Sequence, residues 1–75
     1  MDPEDIRLEL YKRRKKITQA QIARNLNCSK MAVSLVIDRR SVSKRIMAAV
    51  AEAIDRDKET VFPEYFKKPV NYRTF

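Results

Sequence analysis

The chain has no glycine, no histidine and one cysteine among its 75 residues. Each shortage closes a class of chemistry. Without histidine or a second cysteine there is no ordinary ligand set for zinc. Without glycine there is no glycine-rich phosphate loop, and no paired carboxylates stand out as an acid and base, so the sequence argues against an enzyme and names no cofactor. Cys28 has no partner for an internal bridge, which suits a reducing cytoplasm. No run of about eighteen apolar residues is present. The acidic opening Met1-Asp2-Pro3-Glu4-Asp5 is opposite in sign to the basic start of a signal peptide. The expectation is a soluble, non-exported, cytoplasmic domain with no membrane contact, just large enough for one apolar core.

What is abundant is positive charge. The formal net charge is +7, and its distribution is uneven. Residues 10 to 49 hold eleven Lys and Arg against a single acid, Asp38, whereas both flanks are neutral or acidic. A concentrated basic stretch of this kind is the electrostatic footprint of a protein that binds a phosphate backbone.

Local start signals predict an all-α fold, a compact bundle of four main helices and a short fifth. Asp2 before Pro3, with Glu4 and Asp5 in the first turn, combines a capping residue, a fixed φ and acids at the positive helix end. This predicts a first helix from about Pro3 to Lys15 with Ile6 and Leu10 inward. Its basic end, from Lys12 to Lys16, exceeds what a helix terminus needs, which points some of these cations at phosphate. Thr18-Gln19-Ala20-Gln21 reads as a capping box opening a second helix that ends near Asn25 or Leu26. Ser29 and Ser43 open a third and a fourth, the last running to about Asp55 with Ile46, Val50, Ala53 and Ile54 at helical spacing. Thr60 and Val61 suggest the short fifth, stopped by Pro63.

Residues Gln19 to Asp38 fit a helix-turn-helix pattern. Ala23 is small where two short helices cross closely, and Ile22, Leu26, Val33, Val36 and Ile37 form the apolar wedge between them. Asn27 stands where the turn usually takes glycine, and asparagine tolerates a left-handed backbone. Ser29 caps the second of the pair and leaves its N-terminus able to face a phosphate. At 100° per residue, Val33, Val36 and Ile37 share one side of this helix, while Met31 and Leu35 fall opposite. Two outward apolar side chains suit thymine methyl groups in the major groove, with Lys30 and Ser34 beside them as polar contacts; the alternative is that Met31 and Leu35 pack against the fourth helix, a partner subunit or the tail. Arg39 and Arg40 just beyond the helix, and Thr18 and Gln19 at the start of the preceding one, are assigned to the DNA backbone. Asp38 has three open roles: accepting from a cytosine amino group, pairing with a nearby arginine, or none.

The run from Ile17 to Ala23, the Leu26-Asn27 turn and the apolar side from Val33 to Ile37 resemble phage repressor domains of the lambda-repressor-like superfamily. Within it, the layout from Asp5-Ile6 to Val61-Phe62-Pro63-Glu64-Tyr65 resembles the Ner-like regulators of transposable phages and their bacterial relatives. The resemblance implies about five helices and sequence-specific binding to a double-stranded operator, with a recognition helix near 29–37. It further implies two copies on a partly symmetric site, a repressor's role, and a place at the nucleoid of a bacterial cell. Asn27, Met31 and Leu35 depart from the usual residues, so no operator sequence carries over.

The expected organisation is a DNA-binding domain over 1–66 and a basic, aromatic tail over 67–75. Tyr65, Phe66, Tyr72 and Phe75 lie in the last stretch among Lys67, Lys68 and Arg73, and Pro69 argues against a long helix. Three roles fit this stretch: an arm in a dimer, a cover over the domain's own core, or a basic arm along DNA. An antitoxin or adaptor whose tail docks a protein partner, and an excisionase-like architectural protein that bends DNA, are the rival functions.

Overall fold

Pro3 begins α1 (Pro3–Lys12), with Glu4 and Asp5 in its first turn. Asp2 occupies the cap position with extended backbone, but its side chain makes no capping hydrogen bond, so the start rests on Pro3 and the acids. The helix ends at Lys12, three residues earlier than expected, and 13–16 form a turn. Arg13 N–H bonds the Leu10 carbonyl at 3.0 Å and Lys16 N–H the Arg13 carbonyl at 2.8 Å, which tightens the chain out of helical register. This computed structural model describes residues 1–66; the tail assigned to 67–75 lies outside the described residues.

Three hydroxyl caps act as expected. The Thr18 side chain accepts from Gln21 N–H at 3.2 Å and opens α2 (Gln19–Asn25). Ser29 accepts from Ala32 N–H at 3.1 Å and opens α3 (Lys30–Ile37). Ser43 accepts from Ile46 N–H at 3.3 Å and opens α4 (Lys44–Ala53). A short α5 (Lys58–Val61) follows. The domain is compact and all-α, with no strand among the described residues.

All five helices feed one core. Ile6 and Leu10 come from α1, Ile22 and Ala23 from α2, and Val33, Val36 and Ile37 from α3. Helix α4 contributes Ile46, Met47, Val50 and Ala51, with Ile54 just after it, and Val61 and Phe62 close the far end. Met47 and Ala51 belong to the buried face although the expected set named Ala53, which is only half-buried. Tyr65 and Phe66 pack against the same cluster, and Leu26 is half-buried at its rim. No polar or charged residue is buried among the described residues, so hydrophobic burial supplies the cohesion.

Helices α2, α3 and α4 end in the same way without glycine. Each is followed by a residue with positive φ: Asn27 (57°), Arg39 (61°) and Asp55 (56°). One residue later the backbone N–H reaches back to close the last turn: Cys28 to Ala23 at 2.9 Å, Arg40 to Leu35 at 2.9 Å, Arg56 to Ala51 at 3.0 Å. This satisfies carbonyls that helix ends leave open. A Cβ in the left-handed region costs about 1–2 kcal/mol, less for asparagine. Asn27→Val is therefore expected to destabilise the domain by about 1–2 kcal/mol, lowering Tm by roughly 4–16 °C, and Asn27→Gly is expected to hold or raise it. Equal melting temperatures for the valine and glycine variants would remove the left-handed demand.

Candidate nucleic-acid interface

Helix α3 is a short rod with two unlike sides. Its inner side, Val33, Val36 and Ile37, is fully buried, and steric packing against α2, α1 and α4 sets its angle. On the opposite side Met31 is 71% exposed and Leu35 36%. Lys30, Ser34 and Asp38 run at i, i+4 spacing along one flank, where successive side chains stack one turn apart.

That flank is tied to α1. Arg7 donates from Nη1 to Asp38 Oδ1 at 2.5 Å and from Nη2 to Ser34 Oγ at 3.0 Å. The spacing of Ser34 and Asp38, one helical turn apart, matches the fork of a guanidinium. The role of Asp38 is thereby resolved in favour of pairing, with an arginine 31 residues away in sequence rather than with Arg39 or Arg40. The hydrogen bond from Arg7 holds the Asp38 carboxyl below the usual carboxylate range, and the same bond raises Arg7. Likewise the Arg13 hydrogen bond, at 2.6 Å, and then the charges of Lys12, Arg13 and Arg56 lower Glu9.

Depressed carboxylate values stabilise the folded state above the unfolded value, near pH 4, and that stabilisation disappears as pH falls through the folded value. Thermal stability is therefore expected to fall on acidification below about pH 4, with Asp38→Asn flattening the acid limb. An unchanged limb in that variant would exclude Asp38 as a contributor.

The start of α2 lies beside the same flank. Thr18 and Gln19 line a shallow open cleft with Lys30, and α1 adds Arg7 and Tyr11, with Arg14 from the turn. Arg14 lies over the Tyr11 ring, 4.1 Å from its centroid, and donates to the Tyr11 carbonyl at 3.0 Å. Thus the expected residues Thr18, Gln19, Ser29, Lys30, Met31, Ser34 and Leu35 come from two adjoining helix starts and one helix face. Sequence reasoning missed Arg7 and Tyr11, whereas Arg14 belongs to the Lys12 to Lys16 run it pointed at phosphate. The spacing of Arg7 and Tyr11, four residues apart within α1, places them on one stripe of that helix, a signal that was there to be read.

The Arg39 side chain, assigned to the DNA backbone, is engaged within the domain instead. Its guanidinium donates from Nη2 to the Met1 carbonyl at 2.6 Å and the Val61 carbonyl at 3.0 Å, and Nε lies 3.3 Å from Glu64 Oε2. It sits over the Phe62 ring at 5.2 Å. The positive φ at this position breaks the helical phase, so angular counting along α3 does not extend to it. Arg40, one residue on, is exposed. Among the described residues Lys15, Lys16, Arg24, Lys30 and Arg40 form no ion pair and are exposed.

No helix of the described residues is long and apolar enough to cross a membrane, and no metal-ligand cluster occurs among them. No protein-family model, curated protein or solved structure matches this chain.

Proposed function

We propose that the protein is a sequence-specific double-stranded DNA-binding regulator of transcription, acting as a repressor, in which α2 and α3 form a helix-turn-helix and α3 enters the major groove. The observation that carries this reading is the outward side of α3. Met31 is largely exposed and Leu35 about one-third exposed, on a helix whose inner side is fully buried, and Lys30 beside them forms no ion pair among the described residues. An apolar row of this width matches thymine methyl groups. Lys15, Lys16, Lys30 and Arg40, with the hydroxyl-capped starts of α2 and α3, supply donors for phosphates on either side. Two copies on a partly symmetric site follow from the same reading, because one eight-residue helix contacts only a few base pairs.

Selection of bound sites from a random duplex library tests the reading. The expected result is a thymine-containing half-site repeated about one helical turn apart; a library with no enriched sequence would end it. On the selected site, Met31→Ala and Leu35→Ala are each expected to weaken binding by about 1–3 kcal/mol, with little effect on unrelated DNA. Equal losses on both DNAs would show that these side chains do not read bases.

A further inference from the structure

A serine hydroxyl can donate one hydrogen bond and accept two, so by itself Ser34 would read either an acceptor or an amino group on a base edge. The structure removes that ambiguity. Arg7 Nη2 lies 3.0 Å from Ser34 Oγ, and a guanidinium has only donors and does not lose its proton, so the direction of this bond is fixed. The Ser34 oxygen accepts a charge-assisted bond, which takes one of its lone pairs and polarises the hydroxyl toward donating its own proton. No hydrogen bond donated by the Ser34 hydroxyl is formed among the described residues, so its proton is free for an outside acceptor. The neighbouring hydroxyls are in the same state: Thr18 Oγ accepts from Gln21 N–H and Ser29 Oγ from Ala32 N–H, each keeping its proton for a partner. Lys30 on the same flank has only donors. Asp38, the one acidic side chain along α3's flank, already accepts from Arg7.

We propose that Arg7 is a specificity-determining positioning residue that makes Ser34 a donor, so that Ser34 recognises a base-edge acceptor, namely purine N7, guanine O6 or thymine O4, and not the amino group of cytosine or adenine. This inference rests on the DNA-reading function proposed above. It also gives the flank a mainly donor sense: donors along Lys30 and Ser34, methyl-sized apolar contacts along Met31 and Leu35, and one carboxylate, Asp38, whose Oδ1 and charge are engaged by Arg7.

The test uses the full chain and the site it selects from random duplex DNA. The base pair that loses its selection in Ser34→Ala is the one Ser34 reads. At that pair, removing the acceptor from the DNA, with 7-deazapurine for a purine or a thymine analogue lacking O4, is expected to weaken wild-type binding about tenfold, which is about 1.4 kcal/mol. Methylating the amino group of the same pair is expected to change binding less than twofold. Arg7→Met combined with Asp38→Asn removes the cation without leaving a bare carboxylate, and it is expected to relax discrimination at that pair alone. Arg7→Lys retains a cationic donor and is expected to keep the preference. A uniform loss at every base pair in the double variant would mean that Arg7 is merely structural. A tenfold loss on amino methylation of wild-type complexes would reverse the assignment of Ser34, and this measurement needs no variant to fold. If wild type selects a site but no pair depends on Ser34, the inference alone fails; if it selects none, the DNA-reading function fails and takes the inference with it.

Discussion

Arg39→Ala is expected to destabilise the domain by about 2–4 kcal/mol, because it removes the charged donor of two main-chain carbonyls: one is left with no other partner among the described residues, at roughly 1–3 kcal/mol, while the other keeps only the Met1 ammonium at 3.1 Å. Those carbonyls belong to Met1 and Val61, and the side chain that reaches them is only 20% exposed. It also loses its place over the Phe62 ring and its contact with Glu64. A domain of this length has a total stability of about 4–11 kcal/mol, so the loss lowers Tm by roughly 8–30 °C. Replacing arginine by alanine does not relieve the left-handed backbone, since alanine too carries a Cβ. Under conditions where the variant is folded, the salt dependence of DNA binding is expected to match wild type. Arg40→Ala, by contrast, should leave stability within about 0.5 kcal/mol of wild type and flatten the log–log salt slope by roughly 0.9. If Arg39→Ala melted like wild type and lost slope instead, Arg39 would belong on the DNA after all.

The second large effect lies at Phe62. Its ring is wholly buried between the end of α5 and the core, and truncation to alanine is expected to cost about 3–5 kcal/mol. Against the same total of about 4–11 kcal/mol, this variant stands near unfolding at 37 °C. Leu8, also apolar but 51% exposed on α1, provides the contrast. Leu8→Ala is expected to stay within about 0.5 kcal/mol. Urea titrations of the two variants decide the matter: similar midpoints would mean that the last turn of the domain does not help hold the core. Phe62 and Arg39 are also coupled through their stacking, so their double variant should lose less than the two single losses added together.

These two residues show why the end of the domain matters to a site at its middle. Arg39 follows α3 directly, and its bonds link that helix end to the chain start and to α5. Arg7 does the same for the flank of α3 from α1. The outward row of Met31 and Leu35 is thus held on a helix braced from both sides, and a rigid support of this kind is what an interface needs to hold its side chains in register with another molecule.

Much of the fold was legible because its signals are local. Thr18, Ser29 and Ser43 each cap a helix through a backbone N–H three residues on, a bond the chain makes whatever lies around it. The inner row of Val33, Val36 and Ile37 and the outer pair of Met31 and Leu35 follow from a 100° rotation per residue. Asn27 in the left-handed region follows from the lack of glycine at a tight turn. Where local preference is weak, the reading failed. Residues 13–16 are good helix formers by composition, yet they turn so that α2 can pack back on the core.

Sequence alone therefore determined five helices, the three hydroxyl caps at Thr18, Ser29 and Ser43, the buried and outward sides of α3 and the concentration of positive charge, since each depends on neighbours within about one turn. Tertiary structure alone decided the fate of individual charges. Arg7 was matched to Ser34 and Asp38 across 27 and 31 residues, and Arg39 was withdrawn to Met1 and Val61 across 38 and 22. A guanidinium has five donors and a long, pliant stem, so its partner is whichever acceptors the packed backbone brings within reach. That proximity is created by burying the apolar faces together, and no pattern along the chain records it.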